Sequence, residues 1–483
     1  MRGLRLFIST FFFLAFWHGS AGQSDPNIYG RIVTLDTTSR EIMTVNRILI
    51  IGNKITRDRI ILRELALQPG DTVSNHRLGA ILQRDRNKIY NLRLFNTVTI
   101  RILQLDTAQI DLLIEVAERW YTFPVPIFEL SDRNFNEWWQ NYDHDFRRVN
   151  YGARLYQYNF RGRNETLRLT AQFGFTRRFD LIYRIPNLDR NQKQGLTIGF
   201  EYAEPKNLAY FTNNHKLEFL QTDFTLRRMS VANVLYTYRK SFYETHSIGL
   251  EYRSGTVADT VAQLNSNYYS NGSSHQQYEA ISYNFNSDHR DVVAYPLKGY
   301  HFSTYAAKLG LGISSDVNQL QLNVTHAQYM DLKNGFYLSN FSAAFFSTPD
   351  SQPYTLYGAL GYRKQFIRGY EIYVVEGPKF FLNKTTLKKR IFSRAWEFED
   401  MPFEQFRHLP LSIYLKTYFD MGYVENYPQY AEMNINERLS NKFLSGAGAG
   451  IDVVTFYDTV MRFEYTFTGD GTRGFFFHVK KEF

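Results

Sequence analysis

The sequence predicts a mainly β protein: a 16-stranded antiparallel transmembrane β-barrel preceded by one small α+β domain. Three observations predict it. From Tyr121 onward, apolar and polar residues alternate with period two in short segments separated by turns, as in a sheet with one greasy and one wet face. The connections between those segments are by turns long and short, as in barrels with tight turns at one end and long loops at the other. The chain also combines 35 Tyr and 41 Phe with a negative mean hydropathy. Strict alternation of lipid-facing and water-facing positions produces that mixture.

Taken in order, the chain begins with a targeting pattern. Arg2 and Arg5 precede an apolar run at 6–17 and the small residues Gly19-Ser20-Ala21-Gly22, so residues 1–22 read as a secretory signal peptide. No later apolar run approaches the roughly 18 residues of a membrane helix. The absence of cysteine excludes disulfides, thiolate metal sites and cysteine nucleophiles. The net charge of +9 is dispersed along the chain, whereas a nucleic-acid partner would want a concentrated basic patch.

Residues 44–120 form the first domain. A short apolar run, Ile48-Leu49-Ile50-Ile51, ends at Gly52-Asn53. Thr56 is expected to cap a helix containing Ile60 and Ile61, stopped by Pro69-Gly70. Ser74 or Asn75 is expected to cap a second helix with Leu78, Leu82 and Ile89 on one face. Two alternating segments follow, at 98–102 and 110–116. A small module of this kind can add an extended peptide to its sheet edge.

Residues 121–483 carry sixteen predicted strands and no predicted helix, the first at 122–131 and the last at 474–483. One connection, 394–409, breaks the long–short rule. Closing the sheet removes its edges. In the last strand Phe475, Phe477 and Phe483 share the outer face. Pro124 and Pro126 weaken the first strand, because proline donates nothing to a ladder. The seam joining Phe123, Pro124 and Pro126 to Phe475, Phe477 and Phe483 is therefore the expected lateral opening.

The long connection 348–380 holds Gln365-Phe366-Ile367-Arg368-Gly369-Tyr370. It is aromatic and much longer than most loops, which marks it as functional rather than disordered. Strand parity places Lys416 and Asp420 on the inner wall, and Gly446, Gly448, Gly450 and Asp452 on the inner face of the next strand. Glycines there leave room for a folded-in loop. Arg368 is expected to grip Asp420, with Asp452 the second choice, because a guanidinium–carboxylate fork fixes a single pose.

These motifs in this order resemble the BamA/TamA family of outer-membrane assembly factors. Ile367-Arg368-Gly369-Tyr370 is similar to its [VI]-R-G-[FY] loop motif. Phe419-Asp420-Met421-Gly422 is similar to its strand motif, whose acid meets the loop arginine. Asp288-His289-Arg290-Asp291 with Pro296 and Gly299 resembles its D-x-R-D…P-x-x-G turn, and Asn159-Phe160-Arg161-Gly162 its N-x-x-G turn. The first domain resembles a POTRA domain. In the strand after the loop, Thr386-Leu387-Lys388 stands where the family usually has a Glu-Leu-Arg-like element.

The resemblance implies a β-barrel insertase in the outer membrane of a Gram-negative cell, with its N-terminal domain in the periplasm. The expected partners are outer-membrane lipid, unfolded outer-membrane or exported proteins, and periplasmic chaperones or assembly lipoproteins. No cofactor, metal or nucleic acid is expected. The alternatives are a two-partner-secretion-like translocator and a passive porin. An enzyme is the weakest alternative, resting on Asp143-His144-Asp145 as a metal cluster or Ser273-Ser274-His275 as a hydrolase fragment.

Overall fold

The computed structural model describes residues 42–104, 108–130, 146, 149–313, 315–361, 365–398, 401 and 407–481. The expected signal peptide at 1–22, Asp143-His144-Asp145 and Phe483 lie outside the described residues.

The first domain runs β1 (Ile42–Ile51), α1 (Asp58–Leu62), β2 (Thr72–Ser74), α2 (Asn75–Asn91), β3 (Phe95–Gln104) and β4 (Gln109–Glu118). Its sheet order is β2-β1-β4-β3, with β1 parallel to β4 and the other pairs antiparallel. The three-residue β2 is too short to show a period. Leu78, Leu82 and Ile89 of α2 are buried, as the helical spacing requires. Two apolar clusters, one around Ile60, Ile61 and Phe95 and one around Val45, Leu78 and Leu112, make the core.

The first expected helix cap is corrected, because Arg57 rather than Thr56 occupies that N-cap. Ser74 occupies the second N-cap as expected, without a side-chain cap bond. Thr56 is buried and turned toward the rest of the molecule. Its Oγ1 donates to Glu118 Oε1 at 2.6 Å and accepts from Asn159 Nδ2 at 2.8 Å. A carboxylate within reach outcompetes a helix end for the hydroxyl.

The second part is a 16-stranded antiparallel meander. Its strands start with β5 (Thr122–Leu130), β6 (Val149–Phe160), β7 (Glu165–Gly174), β8 (Arg177–Ile185) and β9 (Gln194–Glu204). A separate hairpin, β10 (Asn207–Asn213) and β11 (Lys216–Gln221), then interrupts the sheet. The sheet resumes with β12 (Arg227–Arg239) and β13 (Glu244–Val257), a helix α3 (Asp259–Leu264), β14 (His275–Asp288), β15 (Gly299–Leu309), β16 (Gln319–Lys333) and β17 (Phe336–Thr348). A two-residue ladder, β18 (Ala359–Leu360) with β19 (Val375–Glu376), lies in the long connection. Then come β20 (Lys379–Glu397), β21 (His408–Val424), a helix α4 (Pro428–Glu432), β22 (Phe443–Val454), β23 (Thr459–Thr468) and β24 (Arg473–Lys481).

The connection that broke the long–short rule is explained by β20 and β21. Their ladder continues to Glu397↔His408, so six of the sixteen residues of the apparent 394–409 loop are paired strand and the connection shortens to 398–407. The expectation of no helix after residue 121 is corrected by α3 and α4. Both are short and sit in loops, where tertiary contacts decide conformation rather than local periodicity.

Outer faces are apolar, as parity requires: Phe475 is 64% and Phe477 51% exposed. Strands β5 and β24 are the outermost members of the sheet, and no ladder joins them among the described residues. Pro124 and Pro126 are exposed on β5, while Phe123 turns inward against Tyr158, with ring centroids 6.0 Å apart. The prolines are two residues apart, so both missing donors lie on one side of the strand.

Candidate functional site

The connection between β17 and β20 folds into the barrel from the end remote from the POTRA-like domain. Its apolar side chains Leu360, Ile367, Tyr370 and Val375 join wall residues Ala343, Leu382, Val424 and Leu444 in one buried cluster. That burial offsets the chain entropy of ordering a long loop. Two glycines make the close approach possible. Gly369 has φ +95°, and a Cβ on Gly446 would lie 2.0 Å from the Arg368 carbonyl oxygen.

This fit delivers Arg368 to the inner wall. Its Nε donates to Asp420 Oδ2 at 2.8 Å, its Nη2 to Asp420 Oδ1, and its backbone N–H to Oδ2 at 3.1 Å. Nη2 also donates to Thr386 Oγ1 at 3.0 Å, and Nη1 to Glu464 Oε1 at 3.4 Å. The guanidinium lies over the Tyr418 ring, 3.8 Å from its centroid. Asp420 is 0% exposed. Lys384 Nζ is 3.8 Å from Asp420 Oδ2 and donates to the Phe366 carbonyl at 2.9 Å.

Asp452 is not a partner of Arg368. It pairs with Lys416 and accepts from Tyr295 Oη at 2.9 Å. Lys416 reaches on to Glu464 at 2.8 Å. A continuous chain therefore crosses the wall: Tyr295, Asp452, Lys416, Glu464, Arg368, Asp420. Glu464, Thr386 and Tyr418 were not anticipated. Strand parity puts each on the inner face, but only the fold shows which inner residues the loop reaches. The buried Tyr370 packs in the loop's apolar cluster, and the Gly369 N–H donates to Glu371 Oε2 at 2.7 Å.

The turn carrying Asp288, Arg290, Asp291, Pro296 and Gly299 enters from the opposite end. Arg290 Nε donates to Asp288 Oδ1 at 2.8 Å, and Asp291 Oδ1 accepts from the Leu297 N–H at 3.0 Å. Gly299 has φ +96°. Pro296 directly follows Tyr295, which the turn projects against Tyr414 at 4.9 Å and Lys388 at 4.3 Å. The same turn holds α2 through Asn91, whose Nδ2 donates to the Asp291 carbonyl at 3.1 Å. Asn159 and Gly162 hold the first domain as well, the Gly162 carbonyl accepting from the Arg57 N–H at 3.0 Å. Among the described residues the Ser273 hydroxyl bonds the backbone of His275, its Oγ donating to the carbonyl at 2.7 Å and accepting from the N–H at 3.1 Å.

At the far end the β10–β11 hairpin, α3, the 349–378 connection and α4 pack into a cap. Tyr357 stacks on Tyr427 at 3.7 Å, and Tyr430 Oη donates to Glu376 Oε2 at 2.6 Å. His215, at the hairpin turn, accepts the Leu439 N–H on Nε2 at 2.9 Å. Burial pushes its pKa down from 6.5 to about 4, with Arg438 and then Lys442 adding repulsion. The folded cap holds neutral imidazole, while an unfolded His215 protonates near 6.5. The cap's stabilisation is thus complete above pH 6.5 and is lost as pH falls toward 4, by up to about 3 kcal/mol. Limited proteolysis at Lys216 and Arg438 is expected to accelerate across that window, and His215→Gln to flatten the response.

Comparison with known proteins follows this architecture. Residues 43–119 match the POTRA family model, described as a surface antigen variable number repeat. A segment of 88 residues, 18% of the chain, is 31% identical to the outer membrane protein assembly factor BamA of Nitratidesulfovibrio vulgaris. The match spans 11% of that protein's length. Among solved structures, CdiB from Escherichia coli has the same fold, with TM-score 0.53, 10% identity, and coverage of 90% of this chain and 76% of that one. BamA from Haemophilus ducreyi lacking POTRA domains 1–3 aligns at TM-score 0.49 and 14% identity, over 91% of this chain and 85% of that one.

Proposed function

We propose, from the premise that the chain is a BamA/TamA-like protein with one POTRA domain and a 16-stranded barrel, that it inserts β-barrel proteins into an outer membrane. The supporting observation is the seam: β5 and β24 end the sheet without a ladder between them among the described residues. A nascent strand brings N–H and C=O groups that lipid cannot satisfy. An edge weakened by Pro124 and Pro126 can exchange its own pairing for the client's. Phe123, Phe475 and Phe477 border that edge, and Arg368, Gly369, Tyr370 and Asp420 hold the lumen side rigid while it works.

In this reading the barrel sits in the outer membrane with the POTRA domain in the periplasm. The clients are unfolded outer-membrane proteins, and the client's own folding supplies the free energy without a catalytic residue or cofactor. A translocator passing an exported protein through the lumen is the second reading. It requires the 349–378 connection and the cap to leave, against the contacts of Arg368 and the buried tyrosines. A porin requires the same clearance permanently.

The test reconstitutes the protein in liposomes with an unfolded barrel substrate. The expected result is folding accelerated by about tenfold or more, a barrier lowered by at least 1.4 kcal/mol, with Arg368→Ala losing most of the gain. Unchanged folding rates with wild-type protein sink the insertase reading.

A further inference from the structure

We propose that a chamber of about 1190 Å³ between the POTRA domain and the mouth of the barrel receives an extended acidic segment of polypeptide. Its walls are α2, the start of β5, the inner faces of β7 to β9 and the turn after β14. Arginines and lysines outnumber carboxylates in this lining by eleven to three. The sequence shows a charge of +9 scattered along the chain; the fold gathers much of it around one cavity.

Several of these cations already have partners. Arg119 pairs with Asp458 at 2.8 Å, Arg168 with Asp180 at 3.2 Å, and Arg63 and Arg239 share Glu64. Arg84, Arg184 and Lys193 do not. Each is exposed to the chamber, and the side chain of each has no ion pair or hydrogen bond among the described residues. They come from three separate elements: α2, β8 and the turn before β9. A concave, low-dielectric wall lined by one sign of charge focuses the field and concentrates the opposite sign.

Shape and surroundings point to a chain segment. The volume exceeds the roughly 300–1,000 Å³ of ordinary small-molecule pockets. Trp120, Tyr158 and Tyr243 interleave with the cations, giving apolar area that a phosphate ion would not use. A lipid headgroup is disfavoured, because the walls are domain and inner-face residues, while the lipid-facing belt, Leu181 and Ile198 among it, points away from the chamber. A segment seated here lies beside the flank that carries β5. Naming that segment as part of a client rests on the insertase reading.

The test uses the full-length protein in zwitterionic nanodiscs and measures fluorescence anisotropy. The probes are a short Asp/Glu-rich peptide with two Phe and its Asn/Gln counterpart. The acidic peptide is expected to bind about tenfold tighter than the neutral one and to weaken as salt rises. Arg84→Gln, Arg184→Gln and Lys193→Gln combined are expected to abolish the preference, whereas Lys206→Gln at the far end leaves it intact. Lys193→Gln alone, on an exposed turn, should move in the same direction should the triple variant fail to fold. Equal binding of both peptides, an unchanged preference in the variants, or displacement by short-chain anionic lipid or inorganic phosphate at peptide-like concentrations overturns the proposal. Client folding in liposomes is scored separately. Acidic-peptide capture without accelerated folding removes the insertase reading and keeps the chamber; accelerated folding with no peptide preference does the reverse.

Discussion

Arg368→Ala is expected to destabilise the loop-in state by about 3–5 kcal/mol, the cost of removing one partner from a buried ion pair. Asp420 is fully buried, and without the guanidinium its nearest cation is Lys384 at 3.8 Å. Tyr418 loses its cation, and Thr386 and Glu464 each lose a donor. Arg368→Lys should rescue little. One ammonium cannot fork to both oxygens of Asp420 while reaching Thr386 and Glu464. The measurement is protease nicking within 349–378 together with the heat-induced gel shift of the barrel. A lysine variant as resistant as wild type would mean that charge alone, without the fork, holds the loop.

Gly446→Ala should match much of that effect while removing no charge. The added methyl would stand 2.0 Å from the Arg368 carbonyl oxygen, with backbone on both sides of the contact. Neither β22 nor the loop can yield by turning a side chain, so either the strand shifts or the loop leaves. Overpacking of this kind typically costs about 1–3 kcal/mol. Combined with Arg368→Ala, the costs should fall short of their sum, because a loop already displaced no longer meets the methyl. Strict additivity in that double-mutant cycle would place the two substitutions in independent structures.

The barrel was legible because each strand obeys one rule, alternation, and each rule-bearing side chain reports its own face. Lys416, Asp420, Gly446 and Asp452 were all assigned inward on parity, and all line the inner wall. Glu464 obeys the same parity and was still missed, since parity gives a direction without a distance. The cap was illegible for a related reason. The α3 and α4 helices are too short to carry a helical period, the β10–β11 register shifts between Ala209 and Phe211, and Tyr354, Tyr357, Tyr427 and Tyr430 meet across loops far apart in sequence. The chamber's charge was invisible as well, because its cations come from both domains.

The Tyr295-to-Asp420 chain has a mechanical consequence. It anchors one insert from each end of the cylinder to β21, β22 and β23, so that arc is braced from within like a keel. On the opposite arc an ion pair such as Arg168–Asp180 ties only neighbouring strands. Stress applied to the hoop must therefore be taken up outside that arc, which stops one strand, β24, short of the seam with β5.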